Sequence, residues 1–230
     1  MVGTTAKPEP AARTSSNHQR GSKMSSTPST SELVILGAPI VLRDGSHVRI
    51  RQGHHADREL LVRGFERLSR GSRYRRFLTL MPELSDEMAG YLTDIDHHHH
   101  EAMIAIDEQT GEGVGIARYV RDPQRPHVAE VALTVIDDWQ GRGLGVLLLE
   151  VISARAREQG VTTFTGLILA TNDEVMGLLK HLDAVRIVDC DAGSVQVEVQ
   201  IPEIGVGPAL RKLLQVAARN DVAGLPHFPR

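Results

Sequence analysis

The spacing of apolar and polar residues predicts a series of strands and helices over residues 32–202. Alternating runs predict strands over 40–50, as a hairpin that turns at Asp44 and Gly45, and over 102–107, 114–122, 128–136, 163–170, 185–191 and 194–201. Apolar residues three and four positions apart predict helices over 57–68 with Asp57 as a cap, from Ser85 to about Ile95, and over 143–159 and 172–182.

This order of elements predicts one α/β or α+β domain with a mixed sheet. The flanking segments have a different composition. Residues 1–31 are rich in Ser, Thr and Pro and have few large apolar residues, so we expect a disordered tail. Residues 203–230 are expected to extend beyond the domain, with a terminal helix over 208–219.

Composition narrows the class of protein. Hydrophobic residues make up 41% of the chain and aromatic residues 3%, so an aliphatic core is expected. A formal net charge of −3 gives no indication of a nucleic-acid partner. The single cysteine, Cys190, excludes an internal disulfide, and we expect it to be packed in its strand. The chain has neither a secretory leader nor an apolar run of the ~20 residues that a membrane span needs, which favours a cytoplasmic protein.

A glycine-rich loop connects a predicted strand to a predicted helix. Its sequence is DWQGRGLG, residues 138–145. It lacks the third glycine of a dinucleotide fingerprint, because Val146 stands there, and no lysine follows Gly145 as a P-loop would require. Its glycines permit positive φ, and the helix that begins near Leu144 adds the positive end of its dipole. These features indicate a pyrophosphate site, and the alternative is a turn that only connects the two elements.

The segment LTVIDDWQGRGLGVLLLE resembles the acetyl-CoA motif of the GNAT superfamily of N-acetyltransferases. Gln140, Gly143 and Gly145 match the named positions of that motif, and Leu133 and Val135 match its strand. In element order the resemblance covers residues 40–201. Over 114–150 it is most specific, and there the chain is similar to bacterial protein-lysine acetyltransferase domains. The resemblance implies a GNAT-type, mostly antiparallel mixed sheet of about seven strands, splayed at its central strands and flanked by helices.

The resemblance also implies acetyl-CoA as cosubstrate, with its diphosphate on the loop and its pantetheine arm along the preceding strand. Asn172 matches an asparagine that many relatives use near the pantetheine, although it also suits a plain helix cap. The expected cofactor-binding residues are Leu133, Thr134, Val135, Gln140, Gly141, Arg142, Gly143, Leu144, Gly145 and Asn172.

Glu130 is the candidate catalytic residue. A carboxylate within the apolar strand VAEVALTVI is costly unless it is paired or used. The resemblance implies a general base that takes a proton from the attacking amine, and partial burial would raise its pKa toward that role. The alternatives are a solvent-exposed glutamate or an ion pair with an arginine such as Arg118. Many relatives carry a tyrosine acid where this chain has Leu179, so the general acid is not identified.

Three other features of the sequence are a run of histidines, an arginine-rich segment and the single tryptophan. His97–His100 are four neighbouring histidines whose side chains would diverge, so we expect a loop beside the acceptor cleft and no metal site. The six arginines of residues 63–76 form either a solvated surface or a site for the 3′-phosphate of CoA or for acidic patches on an acceptor protein. Trp139 is expected to anchor the loop by packing.

The function indicated by these residues is direct acetyl transfer from acetyl-CoA to an amine, with a protein lysine as the expected acceptor. A small-molecule amine is the first alternative, and a non-catalytic acyl-CoA sensor on the same fold is the second. The sequence does not indicate the acceptor, the acyl-chain preference or the oligomeric state.

Overall fold

A computed structural model describes residues 39–77, 79–169, 185–191 and 193–203. The predicted N-terminal tail, the helix over 172–182 with Asn172 and Leu179, and the terminal helix over 208–219 lie outside the described residues. The strands are β1 (Ile40–Val41), β2 (His47–Gln52), β3 (His100–Asp107), β4 (Gly113–Arg121), β5 (Val128–Val135), β6 (Thr163–Leu169), β7 (Val185–Asp191) and β8 (Ser194–Gln200). The helices are α1 (Arg58–Glu66), α2 (Arg70–Phe77), α3 (Asp86–Thr93) and α4 (Leu144–Glu158).

Within the described residues, eight strands form one sheet in the order β1-β2-β3-β4-β5-β6-β8-β7. Every neighbouring pair is antiparallel except β5 and β6, which are parallel. The prediction of a mixed, mostly antiparallel sheet flanked by helices is therefore confirmed, with one strand more than the expected number. Because parallel strands need a crossover connection, α4 lies between β5 and β6 in the chain.

The helices cover both faces of the sheet. The face that packs on α4 supplies the centre of the core, where Leu148, Ile152 and Tyr119 are fully buried. Helices α1, α2 and α3 cover the opposite face of β4 and β5. None of the described helices is long and apolar enough to span a bilayer.

Local chemistry explains most of the element boundaries. Gly45 has a φ of 85° in the hairpin turn, and Ser85 accepts a 3.2 Å hydrogen bond from the backbone N–H of Met88 at the start of α3. Asp57 precedes α1 but does not cap it through its side chain. Its carboxylate instead accepts hydrogen bonds from Arg51 at 2.6 and 2.7 Å.

Two expectations about the outer elements were wrong. Cys190 is exposed, because β7 is an edge strand whose register shifts between Ile187 and Asp189, so the thiol is not packed in a core. In the arginine-rich segment, expected to be a helix face followed by a loop, residues 63–66 belong to α1, but Arg70–Phe77 form a second helix, α2, in place of the loop.

Candidate functional site

The glycine loop is held in place by residues on both sides of it. Trp139 is buried at 8% exposure, which confirms its role as a packing anchor. The Gln140 side chain donates a 3.0 Å hydrogen bond from Nε2 to the carbonyl of Val135, the last residue of β5. Gly141 and Gly143 have φ values of 76° and 93°, a left-handed conformation that favours glycine. The loop is therefore a defined turn that fixes where α4 begins.

Six consecutive backbone N–H groups, those of residues 141–146, donate no hydrogen bond to any part of the chain that the structure describes. The first groups of α4 are among them, as expected at a helix N-terminus. Backbone N–H groups that converge at a helix N-terminus form an anion site, because the helix dipole adds to their partial charges. This arrangement suits the oxygens of a phosphate or pyrophosphate.

Asp137 connects this loop to α2. Its carboxylate accepts hydrogen bonds from Ser69 N at 2.9 Å, Ser69 Oγ at 2.8 Å and Ser72 Oγ at 2.9 Å. Burial would raise the pKa of Asp137, but these hydrogen bonds outweigh it and lower that pKa. Since Ser69 immediately precedes α2, the carboxylate fixes the start of α2 beside the end of β5.

The strand before the loop separates from its parallel neighbour. β5 and β6 pair only through Val128–Thr163, Ala129–Phe164 and Glu130–Thr165, and they diverge beyond that point. β5 remains paired with β4 as far as Val135, and β6 remains paired with β8 as far as Leu169. The edge of β5 that faces β6 is thus open from Val131 onward, which confirms the expected splay of the central strands.

The predicted cofactor-binding residues, apart from Asn172, lie on this open strand and in the loop. A Cβ atom placed on Gly145 would lie 3.5 Å from Leu133 Cδ2 and 3.8 Å from Val135 Cγ2, so the first turn of α4 rests against β5. Thr134 faces the opposite side of the sheet and lines a cavity under α1 and α2. Only the main chain of Thr134 is therefore available to the slot between the two strands.

Glu130 is the last residue of β5 that pairs with β6, so its side chain lies where the two strands begin to separate. It is exposed, and the expectation of partial burial was wrong. In the described part of the chain no basic side chain lies within 4.0 Å of its carboxylate, so the ion pair with Arg118 is not formed. Burial lowers the pKa of both Arg76 and Arg118. The negative charge of Glu130 opposes this and raises each pKa by a smaller amount.

The chain matches the model of the Acetyltransferase (GNAT) family over residues 66–183, which is more than half of its length. The chain belongs to the GNAT acetyltransferase family. It is 35% identical over 152 residues to acetyltransferase PA5475 of Pseudomonas aeruginosa, a match that covers 65% of this chain and 81% of that protein. It is 30% identical over 170 residues to acetyltransferase Pat of Mycolicibacterium smegmatis, covering 74% of this chain. The chain spans 50% of the length of that Pat protein.

Among solved structures, the GNAT domain of S. lividans PAT is similar to this chain at a TM-score of 0.62 and 32% identity, covering 71% of this chain and 96% of that domain. The match confirms the GNAT fold. Enzymes of the GNAT family use acetyl-CoA. The glycine loop and the splayed strand β5 are the elements on which the family resemblance leads us to expect it.

The sequence analysis expected Arg142 to bind the cofactor, but in the structure its guanidinium has partners within the protein. The Arg142 guanidinium forms an ion pair with Asp44 at 3.0 Å, donates a 2.6 Å hydrogen bond to the carbonyl of Asp138, and lies 4.6 Å from the centre of the Trp139 ring. Arg142 is therefore already engaged by the protein, and its side chain braces the loop against the β1–β2 hairpin.

Arg43 is a residue that the sequence analysis missed. Its side chain passes the loop, and a Cβ atom placed on Gly143 would lie 3.7 Å from Arg43 Nε. In the described residues no carboxylate lies within 4.0 Å of its guanidinium, and the side chain is exposed. Arg43 stands 100 positions before Gly143 in the chain, so no local sequence pattern indicates that the two residues are close.

The histidines of residues 97–100 face different partners. Asp96 accepts backbone hydrogen bonds from His98, His99 and His100 at 2.7 to 2.9 Å, which shapes the loop. His97 Nδ1 lies 2.9 Å from Glu101, and the His100 ring stacks on Tyr91 with centroids 6.1 Å apart. In the described residues no three His, Cys, Asp or Glu side chains converge on a point that could hold a metal ion.

Proposed function

We propose that the chain is an acetyl-CoA-dependent N-acetyltransferase that transfers acetyl directly to an amine, with a protein lysine as the acceptor. The observation that carries this proposal is the run of six unpaired N–H groups, residues 141–146, at the end of the open strand β5. The diphosphate of acetyl-CoA would supply the acceptors that these donors lack. Its pantetheine amides would pair with the free main-chain groups of Leu133, Thr134 and Val135, as an added strand does.

The reaction follows from the position of Glu130 beside the slot. The lone pair of a neutral amine attacks the thioester carbonyl carbon, a C–N bond forms, and Glu130 takes the proton that the nitrogen releases. The C–S bond then breaks, and the thiolate of CoA takes a proton from solvent. Backbone N–H groups of β5 would stabilise the negative charge that develops on the carbonyl oxygen. Because Glu130 is exposed, a lysine side chain from another protein can reach it.

The choice of a lysine acceptor is supported by the resemblance of residues 114–150 to bacterial protein-lysine acetyltransferase domains. The similarity to acetyltransferase Pat and to the GNAT domain of S. lividans PAT supports acetyl transfer and does not distinguish between the two kinds of acceptor. A small-molecule amine would use the same slot and the same base, so both kinds of acceptor belong in the test. A non-catalytic sensor would bind acetyl-CoA and transfer nothing.

The experiment compares Glu130→Gln with wild type in two assays, binding of acetyl-CoA by calorimetry and acetyl transfer by thiol release. Loss of a positioned base is expected to lower kcat by about 10²- to 10⁴-fold, while the Kd for acetyl-CoA stays within about twofold. The matched control is Glu66→Gln, which removes an exposed carboxylate at the end of α1 and should change neither quantity.

Each of the other outcomes has a defined meaning. Full activity in Glu130→Gln would remove Glu130 from the mechanism without affecting the binding site. Wild-type protein that binds acetyl-CoA but acetylates neither proteins nor small amines would be a sensor. Absence of acetyl-CoA binding by the wild type would refute the proposed function.

A further inference from the structure

Two arginines lie close together beside Glu130 and lack a carboxylate partner. Arg118 is in the middle of β4 and is 5% exposed, and Arg76 projects from α2 toward it. Neither forms an ion pair within 4.0 Å with any carboxylate of the described residues. A buried charge without a carboxylate partner is costly, so Arg118, with the half-buried Arg76 beside it, favours the binding of a compensating anion.

The surroundings of the two guanidinium groups are mainly apolar or aromatic, and the polar groups near Arg118 are the Tyr91 hydroxyl, which hydrogen-bonds to it, and His100. The Arg118 guanidinium lies 5.0 Å from the centre of the Tyr91 ring, and that of Arg76 lies 4.8 Å from the centre of the Phe77 ring. Both arginines line a cavity of about 70 Å³ whose other described walls are apolar residues, glycines and Thr134. No acidic side chain of the described residues reaches the arginines from that cavity.

The electrostatics of the pair agree with this geometry. Burial lowers the pKa of Arg118, and burial followed by the nearby charge of Arg118 lowers the pKa of Arg76 to about 10. Arg76, with a pKa of about 10, is cationic at neutral pH, and the guanidinium of an arginine keeps its charge in proteins. Glu130 offsets only part of this positive charge.

The arginines lie close to the reacting position. Arg118 pairs in register with Ala132, which is two residues beyond Glu130 on the same face of β5. Two residues of a strand span about 7 Å. An acceptor whose amine reaches Glu130 could therefore place a second group, about 7 Å from that amine, against the arginines.

We propose that Arg118 and Arg76 form an anion subsite for the acceptor, so that the preferred acceptor carries a carboxylate that can lie about 7 Å from the amine that receives acetyl. This inference rests on the proposed function and specifies its substrate class. The carboxylate has two sources with the same chemistry, an acidic residue next to a lysine in a protein or the acid group of a small amino acid. Guanidinium groups bind carboxylates through charge-assisted hydrogen bonds, which favour the ion over a neutral amide of the same shape.

The test uses two matched pairs of acceptors. One pair is a lysine peptide with an adjacent aspartate and the same peptide with asparagine, and the other is γ-aminobutyrate and its amide. In wild type we expect kcat/KM for the acid form to exceed that for the amide form by about tenfold or more in at least one pair. The pair that shows this ratio identifies the source of the carboxylate.

The variants are Arg118→Gln and Arg76→Gln, with Arg49→Gln as a control. Arg49 pairs with Glu108 on the exposed surface of β2, so this control removes the same charge away from the site. Each of the two subsite variants should bring the acid-to-amide ratio to near one, mainly through KM, without changing the Kd for acetyl-CoA. The control should keep the wild-type ratio. Because Arg76 is only partly buried, its variant remains informative if Arg118→Gln does not fold.

The subsite can fail independently of the proposed function. Active wild-type enzyme with no acid preference, or a preference that both subsite variants retain, would overturn the inference and leave acetyl transfer intact. If wild type transfers acetyl to no amine, calorimetry with the acetylated γ-aminobutyrate and its amide in the presence of CoA still tests the subsite. Equal affinity for the acetylated acid and the acetylated amide would then overturn it.

Discussion

Substitution of Gly143 by alanine separates the two roles that the glycine loop is proposed to have. Gly143 has a φ of 93°, and a non-glycine residue in the left-handed region costs about 1–2 kcal/mol. An added Cβ would meet Arg43 at 3.7 Å or more, which is ordinary contact, so no steric clash adds to this cost. The expected loss of stability is therefore about 1–2 kcal/mol, measured as a shift of the urea unfolding midpoint.

The effect on binding follows from the same energy. The loop of the variant relieves its strain when residue 143 leaves the left-handed conformation, and the N–H groups of residues 141–146 then lose their common direction. Acetyl-CoA would have to restore that conformation, at a cost up to the strain itself. The expected weakening is about 5- to 30-fold in Kd, measured by calorimetry.

Gly160→Ala is the matched control. Gly160 follows the other end of α4, has a φ of 80°, and has no atom within 4 Å of an added Cβ. It should lose a similar 1–2 kcal/mol of stability and keep the wild-type Kd. The reasoning is refuted if Gly143→Ala binds acetyl-CoA as wild type does, or if Gly160→Ala weakens binding equally.

Three further predictions concern charged groups. Arg43→Gln should weaken acetyl-CoA binding by a few-fold and reduce its salt dependence, whereas Arg142→Gln should lower stability more than affinity because Asp44 already holds that side chain; titrations at two salt concentrations compare them. Arg155→Met should lower the free energy of unfolding in urea by about 3–5 kcal/mol, because the fully buried Glu101 loses its 2.9 Å ion pair. Burial would raise the pKa of Glu101, but its hydrogen bonds lower it overall; wild-type stability should therefore fall as the pH drops through the glutamate range, and a flat profile there would contradict this.

Local sequence patterns were sufficient for the elements that build the loop and the slot. The alternation in residues 128–136 and the apolar pattern after Gly143 predicted the bounds of β5 and α4 to within one or two residues. These bounds could be predicted because each pattern repeats several times along its element. The three loop glycines were expected to permit positive φ; Gly141 and Gly143 adopt it, whereas Gly145 lies in the first turn of α4 without it. The glycine spacing therefore predicted the geometry of the turn as well as its position.

The separation of β5 from β6 could not be derived from local patterns. Both strands are mainly apolar with a few polar residues, and no local pattern in their sequences indicates that pairing stops after residue 130. Each strand keeps its other neighbour, β4 or β8, so the divergence is a property of the whole sheet. Only the resemblance to a known family predicted it.

Helix α2 shows why the charged residues near the site were harder to interpret than the apolar ones. Six arginines in residues 63–76 suit a solvated surface, and composition is the same whether a given guanidinium faces water or protein. The position of α2 depends on Asp137, whose carboxylate binds Ser69 and Ser72 from about 65 positions along the chain. That long-range contact turns one arginine of the run, Arg76, toward Arg118 and the acceptor side of β5. If both proposals are correct, Asp137, which immediately precedes the loop proposed to bind the cosubstrate, also positions the helix that selects the acceptor.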